Sequence, residues 1–194
     1  MKPPDPTLLG YALLALIHQA PRSGYDLRKL FATTPLMSFS DSPGAIYPAL
    51  KKLEQTGLIR SVVRDQGLRR KRVFRLSPSG LAKLKTWLTR PVQREDIIRH
   101  VDQLLVRFGF MDETVGAEGT IDLLRQMESG LAAYVPELQT FLAAHGPAMS
   151  LSGRLALESG ISSYKSFLVW SRYALRQYEA SRKRVAYETS QHSS

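Results

Sequence analysis

Three helical stretches followed at once by a basic hairpin, all within the first ninety residues, leave this chain few folds to choose from. Leu8, Leu9, Ala12, Leu13, Leu16 and Ile17 recur at helical spacing behind Thr7, whose side-chain oxygen can take an orphan N–H at a helix start. A second helix, carrying Tyr25, Leu27, Leu30 and Phe31, opens at Ser23 and runs to about Thr34. Ser42, Pro43 and Gly44 open a third; Ile46, Leu50 and Leu53 share one face of it, and Gly57 supplies the stop. Pro48 sits awkwardly there. Its ring removes a backbone donor and should kink the helix or confine its regular part to the stretch after it. Leu58–Arg64 reads as a strand, Asp65–Lys71 as a tight basic turn around Gly67, and Arg72–Leu76 as the return strand. Ser77, Pro78, Ser79 and Gly80 then start a helix with Leu81, Leu84, Trp87 and Leu88, ending at Pro91. This order is the layout of a winged helix-turn-helix domain with Asp65–Lys71 as the wing.

The remainder reads as all helix. Asp96–Met111 carries Ile97, Val101, Leu104, Leu105 and Phe108 on one side, and Thr120–Ala144 should be kinked by Pro136. Leu151–Tyr187 contains no proline, although Gly153 and Gly160 could end or bend it near its start. Leu157, Ile161, Tyr164, Leu168, Leu175 and Tyr178 keep a heptad spacing along it, with Ser171 the one polar interruption. Such a helix would exceed roughly 50 Å, more than a small domain needs for its own core, so these six residues are expected to face a second copy of the chain. The expected fold class is mainly α: a winged helix domain with a small β-hairpin over residues 1–90, an all-α dimerisation and effector domain over 91–188, and a disordered tail over 189–194.

Charge separates the halves. Residues 1–90 hold sixteen Lys and Arg against five Asp and Glu, whereas residues 91–194 hold eleven against twelve, so all of the net +10 lies in the first half. A basic domain joined to a neutral one suggests a polyanion-binding module with a partner domain. The wing is the densest part: Arg64, Arg69, Arg70, Lys71, Arg72 and Arg75 oppose only Asp65 within twelve residues. Wing arginines can enter the minor groove, where negative potential concentrates. On the third helix Ser42, Ala45, Tyr47, Lys51 and Lys52 lie off the face of Ile46, Leu50 and Leu53. Tyr47 could meet a base edge, and the lysines phosphates. Arg28, on the second helix, is placed for a phosphate, while Tyr25 reads equally well as core. Arg69, Arg70 and Lys71 complete the expected DNA-binding set. Against this stands the plain reading, in which lysines and arginines form a solvated face.

Several motifs resemble the PadR family of transcriptional regulators. Ser23-Gly24-Tyr25-Asp26-Leu27 is similar to that family's helix-2 motif. Ile46-Tyr47-Pro48-Ala49-Leu50, with Leu53-Glu54 and Gly57-Leu58-Ile59, is similar to its recognition helix and strand entry, where the awkward Pro48 is familiar. Arg70-Lys71-Arg72-Val73-Phe74-Arg75-Leu76-Ser77, closing at Gly80, resembles its wing return, and Asp102–Phe110 resembles the start of the C-terminal domain in its longer branch. The resemblance implies a homodimer on a pseudo-palindromic operator in double-stranded DNA, usually repression, and release by a small aromatic or hydrophobic effector. Trp87, Phe167, Trp170 and Tyr173 are candidates for lining the effector pocket; aromatics at helical spacing are otherwise plain core.

Other classes find little support. His18, His100, His145 and His192 make no metal-ligand spacing, and no phosphate loop or nucleophile elbow appears. No enzyme activity, cofactor or metal is expected. With no cysteine and no apolar run of membrane length, a cytoplasmic chain without membrane contact is expected. The open alternative is an RNA-binding or protein-interaction winged helix.

Overall fold

The computed structural model describes residues 5–33, 43–66 and 69–191, and these fall into two compact units, Met1–Arg90 and Pro91–Ser194. The first unit contains α1 (Leu8–Gln19), α2 (Gly24–Thr33), α3 (Pro43–Gln55), β1 (Ile59–Gln66), β2 (Arg69–Leu76) and α4 (Pro78–Thr89). Three of its helix starts are chemically marked. Thr7 Oγ1 accepts from the Gly10 N–H at 3.2 Å, and Ser77 Oγ accepts from the Gly80 N–H at 3.0 Å. Ser23 and Asp26 cap reciprocally: the Asp26 N–H donates to Ser23 Oγ and the Ser23 N–H to Asp26 Oδ2, both at 3.2 Å. α1 packs on α3, α4 and β2, and α2 packs on α3. Leu13, Leu14, Leu27, Ile46, Leu50, Ile59, Leu84 and Leu88 are fully buried there, each worth roughly 1.5–3 kcal/mol on folding.

The hairpin is longer than its sequence suggests. β1 and β2 pair antiparallel from Ile59↔Leu76 out to Gln66↔Arg69, so Asp65, Gln66 and Arg69–Lys71 are strand rather than turn. A run of charged residues around a glycine reads as a turn, and here it conceals the outer half of the ladder. Arg22 adds a short third strand: it exchanges backbone hydrogen bonds with Phe74 at 3.3 and 2.8 Å. Helix α3 runs unbroken through Pro48, which lies on its exposed side.

The second unit contains α5 (Arg94–Arg99), α6 (Val101–Gly109), α7 (Met111–His145), a 3-10 turn at Gly146–Ala148, and α8 (Leu151–Gln191). The expected helix over 96–111 is thus broken at His100 (φ −136°, ψ 29°), where neither proline nor glycine gives warning. Met111–His145 is two helices meeting at Gly116, where φ is 77° and ψ −179°, so the helix expected from Thr120 starts within about a turn of that place, behind a short additional helix from Met111. Buried Thr120 spans that break, with its hydroxyl 2.9 Å from Gly116 O and 3.0 Å from Asp112 Oδ1. Gly153 and Gly160 do not end α8. It continues through Thr189, Ser190 and Gln191, so the first half of the expected disordered tail is helical; no proline or glycine after Gly160 stops it. Residues 192–194 lie outside the described residues.

The heptad face of α8 is used inside the chain. α7 and α8 pack antiparallel along their length. Arg182 pairs with Glu118, Arg172 with Glu128, and Tyr164 meets Tyr134 edge-on at 5.1 Å, so partners ascend α7 as they descend α8. Ile161 is buried, the Tyr164 hydroxyl donates to Ile98 O at 2.6 Å, and the Tyr178 hydroxyl donates to Asp112 Oδ2 at 2.5 Å. Leu157, Leu168 and Leu175 are half-buried in the same stripe. Ser171, the polar interruption, is fully buried and donates to Leu168 O. The length of α8 therefore answers to the similarly long α7, and these six residues are not a free apolar stripe. Among the described residues no helix is long and apolar enough to cross a membrane.

Candidate nucleic-acid interface

Helix α3 places its side chains by periodicity. Ile46, Leu50 and Leu53 fill the core side and are at most 4% exposed. The opposite side carries Pro48, Lys51 and Lys52, all exposed, with Tyr47 at one edge and half-buried Ala45 at the other. Lys51 lies one turn beyond Tyr47, and Lys52 one turn beyond Pro48. Tyr47 is 50% exposed, and its position is fixed from below by Gly24. A Cβ at Gly24 would come within 2.8 Å of the Tyr47 ring, so the glycine of the α2 motif is what lets that ring lie across α2.

Arg28 is exposed on α2, and its guanidinium lies over the Tyr25 ring, 5.9 Å from the centroid. Tyr25 is 61% exposed, so it belongs to the surface and not to the core. Its aromatic face holds a cation at the surface of α2. Nothing in the sequence signals this, because Tyr25 sits at a position where either side of a short helix could be inward.

The hairpin cations divide. Arg72 reaches Glu54 of α3 with its guanidinium at 2.7 and 3.0 Å, lies over the Phe74 ring at 5.6 Å, and so ties the wing to the helix. Glu54 also accepts from the Ser61 N–H at 3.2 Å. Hydrogen bonding from Ser61 and then from Arg72 holds the Glu54 carboxyl below its usual range, against the opposing effect of partial burial. Arg60 and Arg75 are exposed and stand opposite one another in the register. Beyond them Arg64 opposes Lys71, Asp65 opposes Arg70 and Gln66 opposes Arg69. The side chains of Arg69, Arg70 and Lys71, and all of Ser42, lie outside the described residues.

The four aromatic candidates for an effector pocket fall in both units. Trp87 stacks on Tyr11 at 4.5 Å and 6° within the first. In the second, Trp170 meets Phe108 edge-on at 5.0 Å, Phe167 is half-buried and Tyr173 is 54% exposed. A cleft of about 490 Å³ opens elsewhere in that unit, between α5 and α7, lined by Val92, Ile97, Arg94, Arg125, Ala133 and Tyr134 among others.

Three helices, a short extended segment at Arg22, a two-stranded wing and an exposed cationic face on the third helix define a winged helix-turn-helix protein with an appended helical domain. Residues 13–86 match the family model described as Transcriptional regulator PadR-like family. Among curated proteins, the Negative transcriptional regulator PadR of Bacillus subtilis (strain 168) is 27% identical over 172 residues, spanning 84% of this chain and 93% of its own. Among solved structures, Bacillus subtilis PadR in complex with operator DNA aligns at 24% identity and a TM-score of 0.42, over 89% of this chain and 99% of that one. A PadR-like transcriptional regulator from Bacillus cereus aligns at the same identity and TM-score, over 90% and 97%.

Proposed function

We propose that this chain is a cytoplasmic, non-enzymatic repressor that binds a pseudo-palindromic operator in double-stranded DNA as a homodimer. The carrying observation is the outer face of α3, where Tyr47 and Lys51 stand exposed on a helix whose other side is wholly committed to the core. A helix of this width fits the major groove. Lys51, Lys52 and Arg28 would meet phosphates there, Ser42, Ala45 and Tyr47 base edges, and Arg69, Arg70 and Lys71 of the wing a flanking minor groove. Repression is the sign suggested by the curated relative, a negative regulator.

For the dimer, α8 offers a second stripe. Leu151, Leu155, Val169 and Tyr173 are 51–65% exposed. Their offsets of four and eighteen residues bring them back to nearly one helical angle, since eighteen residues make five turns. This stripe lies away from the face packed on α7, and pairing two copies would cover it. For release, the α5–α7 cleft has an apolar floor and two arginines, and its size suits a small aromatic or hydrophobic effector. The direct test is competition at physiological salt. Duplex DNA should displace single-stranded RNA from the protein; if the RNA wins, the reading of α3 and the wing fails in favour of an RNA-binding winged helix.

A further inference from the structure

A second cationic site lies at the base of the wing. Arg60 and Arg75 are direct cross-strand partners, and like charges so placed repel. Neither finds a carboxylate among the described residues, whereas Arg72, Arg94, Arg125, Arg172 and Arg182 each reach one. The two arginines line a cleft of about 450 Å³ with Ile17 and His18 at the end of α1, and Pro78 and Leu81 at the start of α4. Strand alternation sets them on the hairpin face opposite Arg72, which is bound to Glu54 of α3. The cleft is therefore turned away from the recognition helix.

We propose that this cleft binds a small phosphorylated molecule. A phosphate monoester carries nearly two negative charges at neutral pH and offers three acceptor oxygens, which matches two forked guanidiniums. One carboxylate would leave half of that charge unanswered. The apolar body of the ligand would lie on Ile17, Pro78 and Leu81, and the His18 ring at the rim would supply a further donor.

Phenyl phosphate is the probe, with benzoate as the singly charged comparison, and binding to the full-length protein is measured by calorimetry. Phenyl phosphate should bind at least about tenfold more tightly than benzoate, and Arg60→Gln or Arg75→Gln should each cost about tenfold or more. Arg72→Gln, on the other hairpin face, should leave it unchanged, and each variant's melting temperature checks the fold. No binding by about 10 mM, equal affinity for benzoate, or indifference to Arg60→Gln with Arg75→Gln would overturn the site. Duplex binding, followed in parallel, should fall by a smaller factor than phenyl phosphate binding in that double variant. Loss of duplex binding without any phenyl phosphate effect would assign the two arginines to DNA, sinking the cleft and leaving the DNA reading intact.

Discussion

A methyl group at Gly80 would lie 2.0 Å from the Leu58 carbonyl oxygen, which accepts backbone and side-chain hydrogen bonds from Ser77. The start of α4 is thus pressed onto the entry to β1. Gly80→Ala should destabilise the first unit by more than the roughly 1–3 kcal/mol of ordinary overpacking, read by urea unfolding. A loss below about 0.5 kcal/mol would show that the contact relaxes cheaply. Tyr47→Ala should weaken the specific operator by about tenfold or more while sparing random duplex, because a base-edge contact carries discrimination and a phosphate contact does not. Equal losses on both would remove Tyr47 from base readout. Tyr178 makes a pH prediction. Burial first, then the hydrogen bond to Asp112 and its charge, push the phenol from 10.0 up to about 12. Its folded pKa is raised, so its contribution is complete below pH 10 and is lost as pH rises toward 12. Alkaline unfolding should therefore be shallower in Tyr178→Phe across that window; an unchanged slope would place the effect elsewhere. At this scale the sequence showed what helical period alone decides, such as the exposure of Tyr47, Lys51 and Lys52. It hid what depends on a second element, such as Arg72 being held by Glu54, or Tyr25 lying outward under Arg28.

The elements marked by capping chemistry were the legible ones: Thr7, Ser23 and Ser77 each start a helix where their side-chain oxygens allow it. The break at His100 was not legible, because its negative φ is open to any residue and carries no residue signature. The six-residue heptad on α8 was legible as a packed stripe but not as to partner, since periodicity records that a face is buried and not against what. The wing can be tested as an element in two ways. Arg69→Ala with Arg70→Ala should weaken binding to all duplexes and lower the slope of log affinity against log salt by about one unit per lost phosphate contact. An unaltered slope would mean that neither touches phosphate. Glu54→Gln removes the acceptor that anchors Arg72. Both partners are partly exposed, so stability should change by under about 1 kcal/mol near neutral pH. The Glu54 carboxyl is held low, so that contribution is present above its ordinary range and fades as pH falls through the folded value. Chemical denaturation from neutral to acid pH should show the wild type converging on the variant.

In the whole molecule, a basic unit, proposed to grip a duplex, is joined to a neutral helical unit, proposed to pair copies. The charge division between residues 1–90 and 91–194 makes this organisation legible in the amino-acid order alone. Which face of α8 packs inside the chain was not legible, because the amino-acid order puts apolar residues on more than one side and only the packing on α7 distinguishes them. Sedimentation should give a dimer at micromolar concentration, and Leu155→Asp with Val169→Asp should yield a folded monomer with much weaker operator binding. A dimer that ignores these changes would move the interface off that stripe. The central claim is tested most directly by footprinting the purified protein on the DNA upstream of its own coding sequence. Two protected half-sites are predicted, related by a two-fold axis, with centres one or two helical turns apart, about 10 or 21 base pairs. Protection that spreads without sequence preference, or none at salt where other duplexes still bind, would contradict it.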